Sequence, residues 1–210
     1  MEPTVSITDV VISIADDGSA YVFYQKDHRI WGMTWNARTG ASQPTALYFY
    51  GYNHVDLFDA KIENLSPLGD ALGILLKDKA GNHVLTWLNK NDPTERLENA
   101  PFIFLPQDRY PDISSIAFNA RGDALFLSRL FPEPDAPLML RVAYRTGERQ
   151  PPGTVRDIDL LRDSEHLDTE APPLLAPIGD KGVAVAMTVH PASNNSQYSE
   201  VRVNRYDLQF

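Results

Sequence analysis

Cysteine is absent from this 210-residue sequence, so disulfide bonds, thiolate metal ligands and cysteine nucleophiles are all excluded. Long apolar runs are absent as well, and none approaches the roughly 18 residues that a membrane-spanning helix requires. The N-terminal segment MEPTVSITDVV has no basic region followed by a long apolar stretch, so it does not read as a signal peptide. We therefore expect a soluble protein that is cytoplasmic or released without a recognisable signal peptide.

Positive charge is scarce. The chain has 19 Lys and Arg residues against 28 Asp and Glu, which gives a formal net charge of −9. No basic stripe overrides this balance, and an acidic surface repels nucleic acid phosphates. The composition therefore excludes nucleic acid as an expected partner.

Signatures of catalysis are also missing. The sequence contains no Gly-x-Ser-x-Gly elbow, no His-Glu-x-x-His pair, no Walker-type loop and no Gly-x-Gly-x-x-Gly fingerprint. Scattered residues can still assemble an active site in the folded chain, so these absences favour a non-catalytic protein without excluding an enzyme.

Apolar residues make up 43% of the chain, which is enough to build a core, and they are organised in a fourfold repeat. The segments ISIADDGSAYVFY, IENLSPLGDALGILL, SIAFNARGDALFLS and LLAPIGDKGVAVAM align on one glycine each. These glycines, Gly18, Gly69, Gly122 and Gly179, follow one another at intervals of 51, 53 and 57 residues. Tight hairpin turns use glycine because they often need a positive φ.

Two further columns follow the same period. An aromatic residue lies 17 to 27 positions after each glycine, and an acidic residue lies nine or ten positions before it. The aromatic column consists of Trp35, Trp87, Tyr144 and Tyr206, and the acidic column of Asp9, Asp59, Asp112 and Glu170. Three columns at one period indicate a true internal repeat.

Each repeat divides into short strand-like runs separated by turn residues. In the second repeat we predict strands over 59–65, 71–76, 83–88 and 102–105. In the third repeat, Val155–Leu161 is predicted to form either a helical turn or an outer strand. Four strands per repeat of 51 to 57 residues is typical of a propeller blade, whereas a β-sandwich does not explain the period and solenoid repeats are usually shorter. We predict one all-β domain over 1–210, a four-bladed β-propeller with blades at approximately 5–50, 51–105, 106–161 and 162–210.

Single repeats resemble known propeller families. Asp59-Ala60, which opens the second of four repeats, resembles the blade openings of four-bladed hemopexin-like domains; the disulfide that usually ties their first and last blades is impossible here. The run DGSAYVFYQKDHRIWGMTW is similar to blades of fungal fucose-binding lectins, and SPLGDALGILLKDKAGNHVLTWLN is similar to TolB- and WD40-like blades. The lectin resemblance implies sugar binding, yet Tyr21 and Gly32 stand where those lectins carry Arg and Glu, so that site is not carried over.

The fourth repeat ends at Tyr206-Asp-Leu-Gln-Phe, just past its third strand, and residues 1–8 are barely long enough to supply an outer strand. An exposed blade edge invites pairing, so a second copy or another protein is the expected partner of this edge. The sequence leaves open whether four blades close alone or form part of a larger propeller.

One face of the propeller is expected to carry function. In a blade, the connection into the innermost strand and the hairpin between strands two and three lie on the same face, where loops can bind ligands. This placement gathers ligand- or partner-binding candidates from the loops of repeats two, three and four: His54, Asp56, His166, Asp168, Phe131, Glu133, Asp135, His190, Asn194 and Tyr198.

The acidic column is expected at the same face, around the mouth of the central channel. Asp9, Asp59, Asp112 and Glu170 either bind a divalent cation through carboxylate oxygens or lock each blade to the next through backbone hydrogen bonds. Repetition in every blade favours the structural role, because structural columns repeat and functional sites usually do not. No other cofactor is predicted.

The favoured hypothesis is a non-catalytic binding or assembly module, acting through the loop-rich channel face or the open edge of the last blade. The alternative is a carbohydrate-binding propeller, which rests on the aromatic residues and the lectin-like first repeat. Against it, Trp31, Trp35 and Trp87 are interpreted mainly as core between blades, and the run Leu47–Tyr52 as an outer strand. A hydrolase or lyase with a site at the channel mouth, using His54 and His166, is the weaker alternative.

Overall fold

The computed structural model contains β-strands and turns, and it describes about two thirds of the chain. The described residues are 7–47, 59–93, 102–110, 113, 115–129, 138–143, 153–156, 166–167, 171, 173–179, 181–190 and 199–207. Over these residues the chain divides into two units, Met1–Pro106 and Gln107–Phe210, and each is described by itself.

The first unit contains two antiparallel sheets built by consecutive strands. The first sheet follows the order β1-β2-β3-β4, with β5 also paired to β3, and the second follows β6-β7-β8-β9. The strands are β1 (Ile7–Ile14), β2 (Ala20–Lys26), β3 (Arg29–Asn36), β4 (Gly40–Ala41), β5 (Thr45–Ala46), β6 (Lys61–Leu68), β7 (Ala71–Lys77), β8 (His83–Asn89) and β9 (Ile103–Leu105).

The second unit also contains two antiparallel sheets. The third sheet follows the order β10-β11-β12-β13; in the fourth, β16 lies between β15 and β17, and β14 pairs with the far end of β16. The strands are β10 (Ser115–Phe118), β11 (Ala124–Arg129), β12 (Leu138–Ala143), β13 (Gly153–Arg156), β14 (His166–Leu167), β15 (Leu174–Ile178), β16 (Gly182–His190) and β17 (Glu200–Asp207).

The four repeat glycines occupy equivalent hairpin turns. Gly18, Gly69, Gly122 and Gly179 all have positive φ, at 78°, 56°, 84° and 58°. A side chain at such an angle would be strained, which explains why glycine recurs there. Each of the four sheets falls within one predicted blade range, so the predicted all-β, four-repeat, propeller-like fold is confirmed. The single-domain boundary remains a prediction.

The core of the first unit lies between its two sheets. Phe23, Tyr21 and Ile30 of the first sheet pack with Leu72 and other apolar residues of the second. Alternation along β2 directs Tyr21 and Phe23 to one face, since successive side chains of a strand point to opposite faces. The resulting burial is the main source of stability of this unit.

The core of the second unit has the same construction. Val183, Val185, Met187 and Val189 alternate along β16, and all four are at most 2% exposed. They pack against apolar residues of the third sheet, namely Leu125, Leu127, Leu138, Leu140 and Val142. Period-two alternation therefore sets the buried face here as well.

Two local predictions in the first unit differ from the structure. Ser66 and Pro67 belong to strand β6, and only Gly69-Asp70 form the turn. Pro67 is tolerated because β6 is an edge strand, where a residue without an N–H loses no ladder bond on the outer side. Trp35 was expected in the core between blades, but it is 45% exposed, because it lies on the face of the first sheet opposite the core residue Phe23.

Other predictions of secondary structure are confirmed. Of the segment Val155–Leu161, Val155 and Arg156 belong to the outer strand β13, and residues 157–161 lie outside the described residues. Trp87 is fully buried as expected. In the described part of the fourth sheet, no strand pairs with the outer edge of β17. The described residues contain no helix that is long and apolar enough to cross a membrane.

A close contact at Gly32 gives a test of the first sheet's packing. Gly32 lies opposite Phe23 in the β2–β3 ladder, and a Cβ at Gly32 would lie 2.8 Å from the Phe23 ring. We expect Gly32→Ala to lower the free energy of unfolding by about 1–3 kcal/mol, the usual cost of overpacking. Denaturant unfolding measures this loss.

A double-mutant cycle provides the control for this prediction. Phe23→Leu replaces the ring that the new methyl group meets with a smaller side chain. Gly32→Ala should therefore lower the free energy of unfolding by less in the Phe23→Leu background than in the parent protein. Equal costs in both backgrounds would show that the steric contact is not the cause.

Candidate functional site

An open cleft lies at one end of the first two sheets, within the first unit. Its volume is about 290 Å³, and every side chain that lines it is polar or charged. The lining comes from β1, from the end of β2 and its turn, and from the residue two positions before β6: Thr8, Gln25, Lys26, Asp27, His28 and Asp59.

The turn between β2 and β3 sets one wall of the cleft. Lys26 and Arg29 are the last cross-strand pair, so Asp27 and His28 form a two-residue turn. Their φ angles of 51° and 64° are those of a type I′ turn, whose twist matches the flanking strands. Asp tolerates this left-handed backbone better than branched residues do.

Asp59 ties this turn to the entry of the second sheet. Its backbone N–H donates to the carbonyl oxygen of His28 at 3.0 Å, and its φ is 63°. Its carboxylate contacts both His28 Nδ1 and the ammonium of Lys79. The hydrogen bond from Lys79, and next the one from His28, hold the pKa of Asp59 below its usual range, so the carboxylate is ionised at neutral pH.

The other walls contribute hydroxyl, amide and ammonium groups. Thr8 donates its hydroxyl to Gln25 Oε1 at 3.0 Å, and Gln25 Nε2 lies 3.5 Å from the carbonyl oxygen of Ala60. The ammonium of Lys26 lies 5.4 Å above the Trp31 ring, whose Nε1 donates to the Lys26 carbonyl at 3.1 Å. These contacts hold the polar lining in fixed positions.

A second charged cluster lies in the same sheet as Lys79. One carboxylate oxygen of Glu63 lies 2.8 Å from His83 Nε2, and the other lies 3.6 Å from the Lys77 ammonium. Burial raises the pKa of Glu63, but the hydrogen bond and charge of His83 and the charge of Lys77 outweigh it, so the net direction is downward. Glu63 is the extra residue of a β-bulge between Ile62 and Asn64, which turns its side chain toward His83.

The structure describes few of the residues predicted from the sequence to form a site. Asp59 lines the cleft, Asp9 lies 3.9 Å from the Lys61 ammonium, and His190 ends strand β16. His166 stands opposite His190 in the β14–β16 ladder, which brings two of the candidates together at the level of the backbone. The remaining candidates lie outside the described residues: His54, Asp56, Asp112, Phe131, Glu133, Asp135, Asp168, Glu170, Asn194 and Tyr198.

The acidic column is less regular in space than in sequence. Asp9 lies inside β1, at a bulge between Thr8 and Val11, whereas Asp59 lies two residues before β6. Among the described residues, no three His, Cys, Asp or Glu side chains come close enough together to hold a metal ion. Asp112 and Glu170 lie outside this part of the chain, so the cation site at the predicted channel mouth remains a prediction.

His28 and Lys79 were not recognised from the sequence. Asp59 was predicted on the acidic column, but its two partners come from a hairpin turn 31 residues earlier and a turn 20 residues later. One signal was present: Lys-Asp-His-Arg separates two alternating runs, which predicts that Asp27 and His28 lie in an exposed turn. The partner of such a turn depends on how the sheets pack.

Asp59→Asn tests the ion pairs of the cleft. A carboxylate whose pKa is lowered on folding stabilises the protein above its unfolded pKa of about 3.9, and this stabilisation is lost as the pH falls through the lowered folded pKa. Asn keeps the left-handed backbone. We expect the variant to have a lower melting temperature than the wild type at pH 7, and the difference in melting temperature to shrink below about pH 4.

Thermal melts between pH 2.5 and 7 measure this difference. Asp16→Asn, at an exposed turn residue outside the cleft, is the matched control. High salt should reduce the effect, because exposed charges are screened. A difference in melting temperature between the two proteins that persists unchanged at pH 2.5 would show that the Asp59 carboxylate is not the source of the stabilisation.

Comparison with known proteins gives structural similarity only. No family model matches the sequence, and no curated protein matches it. An uncharacterized protein from Listeria monocytogenes EGD-e matches with a TM-score of 0.50 and 10% identity, over 98% of this chain and 56% of that one. An ulvan lyase of polysaccharide lyase family PL25, described as bound to -[GlcA(1-4)Rha3S]-, matches with a TM-score of 0.50 and 13% identity.

The matched regions are parts of longer chains. This chain covers 51% of the ulvan lyase and 26% of a prolyl endopeptidase that it matches with a TM-score of 0.49 and 14% identity. The chain therefore spans about a quarter to a half of these proteins. At such identities the similarity shows the fold alone: this chain is all-β, with four antiparallel blade-like sheets and a propeller-like fold.

Proposed function

We propose that this chain is a non-catalytic binding module, and that the cleft of the first unit binds a carbohydrate. The observation that carries the proposal is the lining of the cleft, which combines donors and acceptors without an apolar wall. Binding sites for most small organic molecules are lined predominantly by apolar side chains. A lining of hydroxyl, amide, carboxylate, ammonium and imidazole groups instead matches a ligand that is covered with hydroxyl groups.

The size of the cleft restricts the ligand further. Its volume of about 290 Å³ is at the lower end of the range for ligand sites, roughly 300–1,000 Å³. The cleft is also open, so a longer chain can extend beyond it. We infer that it takes a short stretch of an oligosaccharide.

We infer that Lys26, the lysine of the lining, binds an acidic group of the saccharide. The lining also holds the carboxylates of Asp27 and Asp59, and the ammonium groups of Lys79 and Lys61 already pair with Asp59 and Asp9, so Lys26 carries this inference alone. Ammonium groups give the stronger, charge-assisted hydrogen bonds to carboxylate or sulfate oxygens. The fold neighbour described as bound to -[GlcA(1-4)Rha3S]-, a saccharide with glucuronic acid, is compatible with this class but adds only the fold to the argument.

A second candidate function is cleavage of the bound saccharide by a hydrolase or lyase. The observation that favours it is the contact between His28 Nδ1 and the Asp59 carboxylate. A carboxylate in this position orients an imidazole, as in enzymes that use histidine as a general base. The imidazole is mostly exposed, at the edge of the open cleft, where a substrate could reach it.

Binding to a panel of neutral and acidic oligosaccharides tests the first proposal. We expect uronic-acid-containing members to bind, and Lys26→Ala to weaken them about tenfold, through loss of one charge-assisted hydrogen bond worth about 1.5 kcal/mol. Isothermal titration calorimetry on the best ligand of the panel measures the change.

Lys90→Ala is the matched control for this measurement. It removes the same charge from the same residue type, but Lys90 pairs with Asp17 at 3.3 Å, at the opposite end of the sheets from the cleft. Equal weakening by both variants would contradict the location of the site. Failure of the wild type to bind any member of the panel would contradict the carbohydrate proposal itself.

Incubation with the same oligosaccharides separates binding from cleavage. A non-catalytic module leaves them intact, as shown by unchanged reducing ends and no new absorbance from unsaturated products. If products do form, and His28→Ala abolishes them while the variant still binds, the second candidate replaces the first.

A further inference from the structure

The first sheet has a second apolar face, opposite the core. Val10, Ile12 and Ile14 alternate along β1 with the partly buried Val11 and Ser13, and they are 53%, 61% and 69% exposed. Single exposed apolar residues are ordinary, but a continuous set on one strand is not.

Cross-strand pairing extends this surface across β2 and β3. Ile12 pairs with Val22 and Val22 with Met33, while Ile14 pairs with Ala20 and Ala20 with Trp35. Paired residues of neighbouring strands carry their side chains on the same face. We call this surface the first face, and its main residues are Val10, Ile12, Ile14, Val22, Met33 and Trp35.

The fourth sheet has a corresponding surface. Leu174 pairs with Ala186, which pairs with Val203, and Val201 pairs with Thr188. Leu174, Val201 and Val203 are 65%, 70% and 69% exposed. We call this surface the last face, and its main residues are Leu174, Ala176, Ala184, Ala186, Val201 and Val203.

Both sheets are therefore apolar on two faces. One face of each forms a core, with Phe23 in the first sheet and Val185 in the fourth, and the other face is exposed. In the second and third sheets the central strands are buried on both faces, as the unbroken burial along β7 and β12 shows. A strand pattern that is apolar on both sides is typical of a sheet that is covered on both sides.

The two faces complement one another in size. The first face presents large side chains, among them Ile12, Ile14 and Trp35, whereas the last face has alanine at its centre, with Ala184 and Ala186 on β16. Large side chains pack well into a surface of small ones, and two surfaces of large ones leave gaps. The main residues of both faces are uncharged, and the last face ends in one ion pair: Arg205, which pairs across the strands with Ala184, lies 3.4 Å from Asp207, which pairs with Gly182.

We propose that a second copy of this chain covers these surfaces, with the first face of one copy packed on the last face of the other. Each copy carries both faces, so each copy contributes one face to each of two such contacts. Three strands of about seven residues give each face roughly 14 by 23 Å, about 300 Å² of flat area. Two such contacts approach the roughly 800 Å² of accessible surface that each partner buries in a stable complex.

The contact joins sheet faces, and it is distinct from pairing at the open edge of β17.

Ile12→Glu and Val203→Glu test the proposal. A buried, unpaired carboxylate is strongly unfavourable, so each variant should weaken self-association at least about a hundredfold. Arg38→Glu, at an exposed turn residue of the first sheet, is the control, because it adds more negative charge away from both faces. Light scattering coupled to size exclusion, over a range of concentrations, measures the mass of each protein.

Mixing the two variants identifies the faces that meet. A mixture keeps one intact contact, between the unmodified first face of Val203→Glu and the unmodified last face of Ile12→Glu, so a 1:1 heterodimer should form where each variant alone is monomeric. Wild-type protein that stays monomeric at every concentration would overturn the proposal. A Val203→Glu variant that still dimerises would also overturn it, because the contact would then join two first faces. So would an Ile12→Glu variant that has a lower melting temperature but the same mass in solution as the wild type.

Discussion

The central strands of the second and third sheets are buried on both faces, and much of the remaining structure depends on that burial. Leu75 and Leu76 are adjacent in β7 and point to opposite faces, yet both are at most 2% exposed. Apolar surface is worth roughly 25 cal/mol for each Å² removed from water, so a sheet of this kind gains little stability by itself. Within each unit, packing of one sheet on the other supplies burial: the second sheet packs on the first, and the fourth on the third.

The same constraint places the polar chemistry at the ends of the strands. Most side chains in the middle of β7 and β8 are buried and apolar, whereas the turns and strand entries of the first unit carry many of its charged groups. Three of the residues that line the cleft, Asp27, His28 and Asp59, have positive φ and lie in such segments. Positive φ at non-glycine residues is uncommon and costs energy, and it often marks functional segments. The cleft is thus where polar side chains are both available and held in fixed positions.

Sequence reasoning succeeded where the local pattern and the packing agree. The glycine period located all four sheets, because each glycine has the positive φ that its hairpin requires. It failed where two elements distant in the chain decide the outcome. Trp35 matched Trp87 in the aromatic column, but Trp35 is 45% exposed and Trp87 is buried, since the second sheet is covered on both faces and the first is not. The partners of Asp59 were missed for the same reason.

The sequence by itself determined the number of sheets and the position of one hairpin turn in each. These properties depend on spacing between near neighbours in the chain, and backbone geometry converts that spacing directly into structure. Only the tertiary structure decided which apolar faces are buried, and which polar residues meet in the cleft. Burial of Phe23 against the second sheet, and contact of Asp59 with His28 and Lys79, join segments that are far apart in the chain. A local sequence pattern does not determine the distance between such segments, because that distance depends on how whole sheets pack.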